Sequence, residues 1–84
     1  MNPRRRNVEI GKLPPEDIVE WLLVKTTEAR VSFQYDLAIE LSRHAYGVAL
    51  QYQDLGHYYS EAMARAEGEN RAAWGAKNAP PKPR

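Results

Sequence analysis

Two histidines stand among eleven carboxylates in this chain, and their spacing decides whether acid–base or metal chemistry is open to them. Set on a helix, Glu40 and His44 are i, i+4 neighbours, as are His57 and Glu61, while Asp54 and His57 lie at i, i+3. Metal sites built inside helix bundles repeat an acid-x-x-His pair on two helices and add a Glu from each of two others. Here there is a single such pair, it uses Asp, and Gly56 interrupts it. These spacings read as surface ion pairs of about 0.3–0.5 kcal/mol each. No metal and no other cofactor is expected.

Nucleophilic catalysis needs a nucleophile, a base and an orienting acid within hydrogen-bond reach. Ser32, Ser42 and Ser60 are available, but none sits in a glycine-rich elbow or beside a histidine with a third member. No glycine-rich phosphate loop is present either. The chain reads as a non-enzyme with no small-molecule substrate.

Charge is strongly segregated. Residues 1–12 carry four basic and one acidic group (+3), residues 13–75 five basic and ten acidic (−5), and residues 76–84 three basic and no acidic (+3). Arg4, Arg5, Arg6 and Lys12 at one end, and Lys77, Lys82 and Arg84 at the other, are the kind of basic groups that neutralise phosphates. An acidic body opposes duplex binding, and no helix shows several basic or amide residues at recognition spacing. Nucleic acid is therefore the alternative partner, held without sequence preference by the tails. Basic tails could equally bind the acidic body of a neighbouring copy. Residues 80–83 also form a P-x-x-P in a segment favouring polyproline II, with Arg84 directly after it.

The elements that must position these groups follow from proline. Pro3, Pro14 and Pro15 mark the front, Pro80, Pro81 and Pro83 the back, and none lies between 15 and 80. Pro15 suits the first position of a helix, and Glu16 and Asp17 follow where the helix dipole favours carboxylates. The spacing predicts a helix over about 15–30, with Ile18, Trp21, Leu22, Lys25 and Ala29 in one stripe and Val19, Leu23 and Val24 on another side. A helix apolar on more than one face is normally buried on more than one face.

Farther along, Ala38, Leu41, Ala45, Val48, Tyr52, Leu55, Tyr59, Ala62 and Ala66 alternate at spacings of three and four, a heptad seam. Because the seam passes through Gly56 in register, one long helix over about 33–68 is favoured over three helices broken near 31 and 56. Trp74 and Gly75 close the helical region. The organisation is thus an extended basic N-terminal arm (1–13), in which Val8, Ile10 and Leu13 alternate, a helical domain (14–75) and a basic, proline-rich tail (76–84).

At 43% hydrophobic and 27% charged residues the composition is that of a globular chain rather than a disordered one. Cysteine is absent, so disulfides and thiolate chemistry are excluded. The longest dense apolar run, residues 18–24, is far short of a membrane span. Neither membrane association nor a secretion signal is expected, and the expected location is cytoplasmic, or within a virion for a viral protein.

The fold expected is all-α: a helical hairpin or small bundle. A chain of 9.6 kDa has little surface with which to wrap so apolar a first helix, so a partner is implied. The function expected is a helical protein–protein interaction protein, a structural or accessory subunit of a larger, viral or cellular, assembly built from itself or around another protein. Leu22, Leu41, Val48 and Leu55 would hold the packing, while Trp21, Tyr46 and Tyr58 contact the partner. Besides the nucleic-acid alternative, an inhibitor docking its acidic face onto a nucleic-acid-binding enzyme fits the same charge pattern.

Overall fold

The computed structural model describes residues 13–79. These form three helices, α1 (Pro15–Val31), α2 (Tyr35–Gln51) and α3 (His57–Asn78), with no strand among the described residues. They make a small up–down–up bundle. Residues 1–12 of the N-terminal arm and residues 80–84 of the tail lie outside the described residues, and with them Arg4, Arg5, Arg6, Lys12, Lys82 and Arg84.

Helix α1 begins as its sequence dictates, with Pro15 in the first turn and the Asp17 and Ile18 amides donating to the Pro14 carbonyl at 3.0 and 3.2 Å. Thr26 and Thr27 are weak helix formers, yet the helix runs through them. The Thr26 hydroxyl donates to the Leu22 carbonyl at 2.7 Å, so this fully buried residue leaves no polar group unpaired, and the Thr27 oxygen lies 3.2 Å from the Leu23 carbonyl.

The long helix expected over 33–68 is instead two helices. Tyr52 ends α2, a single 3₁₀ turn covers Gln53–Leu55, and Gly56 starts α3. The cause is backbone geometry at Gly56, whose φ of 157° and ψ of 171° belong to a region that only glycine enters readily. No one helix carries the nine seam positions: α2 holds the first four, Tyr52 and Leu55 lie in the connection, and α3 holds the rest. Leu55, expected to hold packing, is thrown outward by the 3₁₀ turn and is 68% exposed.

Helix α3 also passes the expected stop at Trp74 and Gly75. Ala72, Ala73 and Ala76 are strong helix formers, and the helix ends only at Asn78, before Ala79 and Pro80.

Helix α2 lies antiparallel to and against both neighbours, whereas α1 and α3 run parallel and approach each other less closely. Alanine explains the difference. Ala45 and Ala49 of α2 meet Ala62 and Ala66 of α3 together with Val19, Leu23 and Tyr59. A second cluster joins Ala38 and Ile39 to Ala29 and Ala73. Small side chains bring helix axes to the short end of the usual 8–10 Å range. Among the described residues, seven of the eleven buried apolar ones are alanine, and four are large: Val19, Leu23, Ile39 and Tyr59.

Candidate functional site

A core of alanines leaves the large apolar side chains elsewhere. Trp21, Val24, Val31, Phe33, Leu37, Tyr46, Leu50, Leu55 and Trp74 are all exposed, nine against the four inside. They are not evenly spread. Those at the α1–α2 turn and along the two flanks of α2 form the candidate interaction surface.

The turn is the sharpest feature. After α1, the Phe33 amide donates to the Arg30 carbonyl at 3.1 Å and the Gln34 amide to the Ala29 carbonyl at 2.8 Å. These are the paired bonds of a Schellman cap, in which the residue after the cap takes a left-handed conformation and is usually glycine. Here it is Phe33, with φ at 65°, the only non-glycine residue with positive φ among those described. A side chain in that conformation costs about 1–2 kcal/mol. Phe33 is also 78% exposed, and its ring stands edge-to-face with that of Tyr35 at 6.3 Å between centroids. It is thus held against both its backbone preference and its solvation preference.

From the turn, a groove of about 360 Å³ runs between α1 and α2, lined by Trp21, Ala29, Leu37 and Leu41, with Ser32 and Gln34 at the turn end. Lys25 lies on its rim, 5.8 Å from the Trp21 ring centre, and pairs with Glu28 at 3.2 Å. On the opposite flank of α2, a groove of about 540 Å³ is bounded by Tyr46 and Trp74, with Gly47, Ser42 and Asn70 between them and Arg43 and Glu67 at its edges. Its floor is fixed by polar bonds. Buried Ser42 donates to the Ile39 carbonyl at 2.9 Å and accepts from the Asn70 carboxamide at 2.9 Å.

The third junction, between α1 and α3, also carries grooves, of about 510 and 380 Å³, but polar side chains bridge it. Arg30 Nε donates to Glu69 at 2.8 Å and the Thr27 hydroxyl to the other oxygen of the same carboxylate at 2.8 Å. Arg65 pairs with Glu20 at 3.1 Å, and the Tyr58 hydroxyl donates to Glu20 at 3.0 Å, with the Glu16 carbonyl at 3.2 Å. Tyr59 donates to the Glu16 carboxylate at 3.1 Å.

These bonds move the groups' acidities. Hydrogen bonds from Arg65 and then Tyr58 hold Glu20 below the usual carboxylate range. Burial pushes Glu69 up, but the bonds from Arg30 and Thr27 outweigh it, and Glu69 is lowered as well. Burial of the phenol, reinforced by the Glu20 carboxylate, pushes Tyr58 up to about 12.

The residues singled out from sequence therefore fall into distinct places. Trp21 and Tyr46 are exposed, one on each flank of α2. Tyr58 is half-buried and ties α3 to α1 through its hydroxyl. Leu22 and Val48 pack against the larger core cluster and Leu41 against the smaller, each half-buried. Lys77 pairs with Asp36 at 2.6 Å and lies 5.2 Å from the Trp74 ring centre.

His44 and Glu40 are exposed and 3.9 Å apart, and no group of three potential metal ligands occurs among the described residues. No described helix is long and apolar enough to cross a membrane. Phe33 and Leu37 were not singled out by pattern. The readable signal was an aromatic residue placed between two helices where glycine is the ordinary occupant.

No protein-family model, curated protein or solved structure matches the chain.

Proposed function

We propose that this chain is a non-enzymatic interaction protein, a small structural or accessory subunit that joins an assembly through the turn end of the α1–α2 hairpin. Phe33 is the observation that carries the reading. An exposed aromatic in a left-handed backbone costs folding energy at a position where glycine would cost none, and such strain concentrates at binding and switching sites. Phe33 serves as the anchor, with Leu37 and Trp21 supplying adjoining apolar surface. Aromatic anchors surrounded by apolar contacts dominate the energetics of interfaces.

The Lys25–Glu28 pair on the rim offers one charge of each sign, so a second copy related by a twofold axis could exchange partners there without a repelling contact. Self-association is therefore the first form of the reading, and association with a different protein the second. Of the basic residues that the nucleic-acid reading invoked, Lys77 is already engaged by Asp36 and Trp74.

Light scattering during size-exclusion chromatography, at low and high salt, tests the reading. Wild-type protein is expected to elute at a multiple of 9.6 kDa that persists in high salt, because apolar contacts are not screened. A Phe33→Gly, Leu37→Ser double variant is expected to elute as a folded monomer. An unchanged mass in that variant would remove the turn end from the interface. A monomeric wild type would leave only the second form, association with another protein.

A further inference from the structure

The groove between α2 and α3 has a different chemistry from the turn end. It has two exposed aromatic walls, Tyr46 on α2 and Trp74 on α3, and a floor without a side chain at Gly47. A β-carbon built on Gly47 would meet nothing within 4 Å, so the space above it is open. Neither the Tyr46 hydroxyl nor the Trp74 indole N–H has a hydrogen-bond partner among the described residues. Lys77 covers one face of Trp74, which leaves the other to the groove. A groove lined by aromatic rings with unused donors suits a polyproline II ligand: its prolines pack on the rings, and its carbonyls, free of internal bonds, accept from the donors.

The sequence supplies such a ligand. Residues 80–84 are Pro-Pro-Lys-Pro-Arg, and Ala79, the last described residue, already has the polyproline II angles of φ −67° and ψ 139°. We propose that the Tyr46–Trp74 groove is a receptor for polyproline II, and that its ligand is the 80–84 segment of a second copy of this chain.

Charge supports that occupant. Lys82 and Arg84 carry two positive charges toward a body of net −5, and Glu67 stands at the groove edge, although Arg43 on the facing edge partly offsets it.

Geometry favours the neighbour's groove over the chain's own. The groove lies along α3 from Trp74 back toward Ala66, so the chain would have to reverse immediately after Ala79 to enter it. A type II turn through Pro80 and Pro81 needs positive φ at the second proline, which its ring forbids. A type I turn needs Pro80 in the helical region, which Pro81 disfavours. A type VI turn would need Pro81 in the minor cis form, and a chain that is extended at Ala79 is directed toward a second molecule instead. One tail–groove contact of five residues is small, but two exchanged between a pair of copies reinforce each other.

The test is nuclear magnetic resonance of the ¹⁵N-labelled full chain, following the Trp74 indole and Gly47 amide signals across a dilution series. Both are expected to move with concentration. In a Pro80→Ser, Pro81→Ser, Pro83→Ser variant, whose changes lie outside the helices, the movement should be lost and the signals fixed at the dilute position. Adding an unlabelled peptide of residues 78–84 to that variant should restore the shift, and the same peptide with serine for proline should not. Gly47→Leu, which keeps a strong helix former in α2 and fills the open space, should abolish the response.

Signals that differ between wild type and the triple-proline variant but do not depend on concentration would place the tail in its own groove and overturn the exchange. Signals identical in both proteins at every concentration, and unmoved by peptide, would overturn the receptor itself. The Trp21 indole reports the turn end separately, so failure there and failure here are distinguishable.

Discussion

Helix α1 is treated in two ways by its neighbours. Toward α3 it presents Glu16, Glu20, Thr27 and Arg30, and every one of them finds a named partner across the junction. Toward α2 and solvent it presents Trp21 and Val24, which stay about half exposed, beside a groove that no described residue fills. The α1–α3 junction is bridged by polar groups, and the other flank carries large apolar groups that stay exposed among the described residues. Polar ties thus help fix how the helices sit, and alanines set how close they come.

The comparison is broken most directly by two substitutions in α1 only two residues apart. Leu23→Ala removes the largest fully buried side chain, which lies beneath the α1–α3 junction. It should lower unfolding free energy by about 2–5 kcal/mol, a large share of what a domain of this size possesses. Trp21→Ser should change it by no more than about 0.5 kcal/mol while weakening association. Urea unfolding of both variants checks the pair, and equal losses would mean that Trp21 is part of the core.

The next test sharpens the junction. Glu69 receives Arg30 and Thr27 on separate oxygens and is itself half-buried, so Glu69→Gln leaves a guanidinium without its counter-charge. A loss of about 1–2 kcal/mol is expected, partial exposure keeping it below the cost of a buried pair. Combining it with Arg30→Gln in a double-mutant cycle should give a coupling of at least about 0.5 kcal/mol. A coupling near zero would make the junction an incidental surface pairing.

How much of this was legible beforehand follows from which physics is local. Proline placement, the acidic first turn and apolar spacing are local, and they announced an all-helical chain whose first helix starts at Pro15. The break at Gly56 was harder to read, because Asp54, Leu55 and Gly56 fit either a bend or a stop. The heptad spacing favoured continuity, and the tertiary backbone chose the stop. Leu55 was misplaced for that reason, and Tyr58 was removed from the free surface by Glu20, a partner 38 residues away that no periodicity reveals. Tyr46 could be read as exposed because it falls beside the seam, whereas Trp21, placed within the first helix's apolar stripe, was assigned to the partner because that helix is apolar on more than one side. Phe33 left only its place between two helices as a signal, since its strain lies in a φ angle.

A single position can set stability against association. Glycine at position 33 would hold the same left-handed cap without the strain of a β-carbon, although it gives back part of the gain through the freedom of the unfolded chain. Phe33→Gly should therefore stabilise the isolated fold, by about 0.5–1 kcal/mol, and raise its melting temperature. The same variant should self-associate less than wild type. A variant that is both less stable and equally associated would mean that the ring serves the fold and not a partner.

The smallest effect is the dependence of the polar α1–α3 junction on pH. Glu20 and Glu69 have folded-state pKa values below their ordinary value of 4.5, so above about that pH both are ionised whether the chain is folded or not, and their stabilising bonds are fully present. As pH falls below 4.5 the unfolded chain binds protons first, and the contribution is lost as pH passes down through the lower folded values. Tyr58 acts at the other end. Its phenol stays protonated in the folded chain up to about 12, against an ordinary value of 10, so the unfolded phenol ionises first and stability declines as pH rises from 10 toward 12. Denaturant midpoints measured across this range should show a plateau bounded by both declines. A Glu20→Gln, Glu69→Gln variant should be less stable on the plateau and flatter on the acid side, and Tyr58→Phe flatter on the alkaline side. An acid limb as steep in the double variant as in wild type would show that the junction's carboxylates are not what acid attacks, and the contrast between the two sides of α1 would then rest on packing alone.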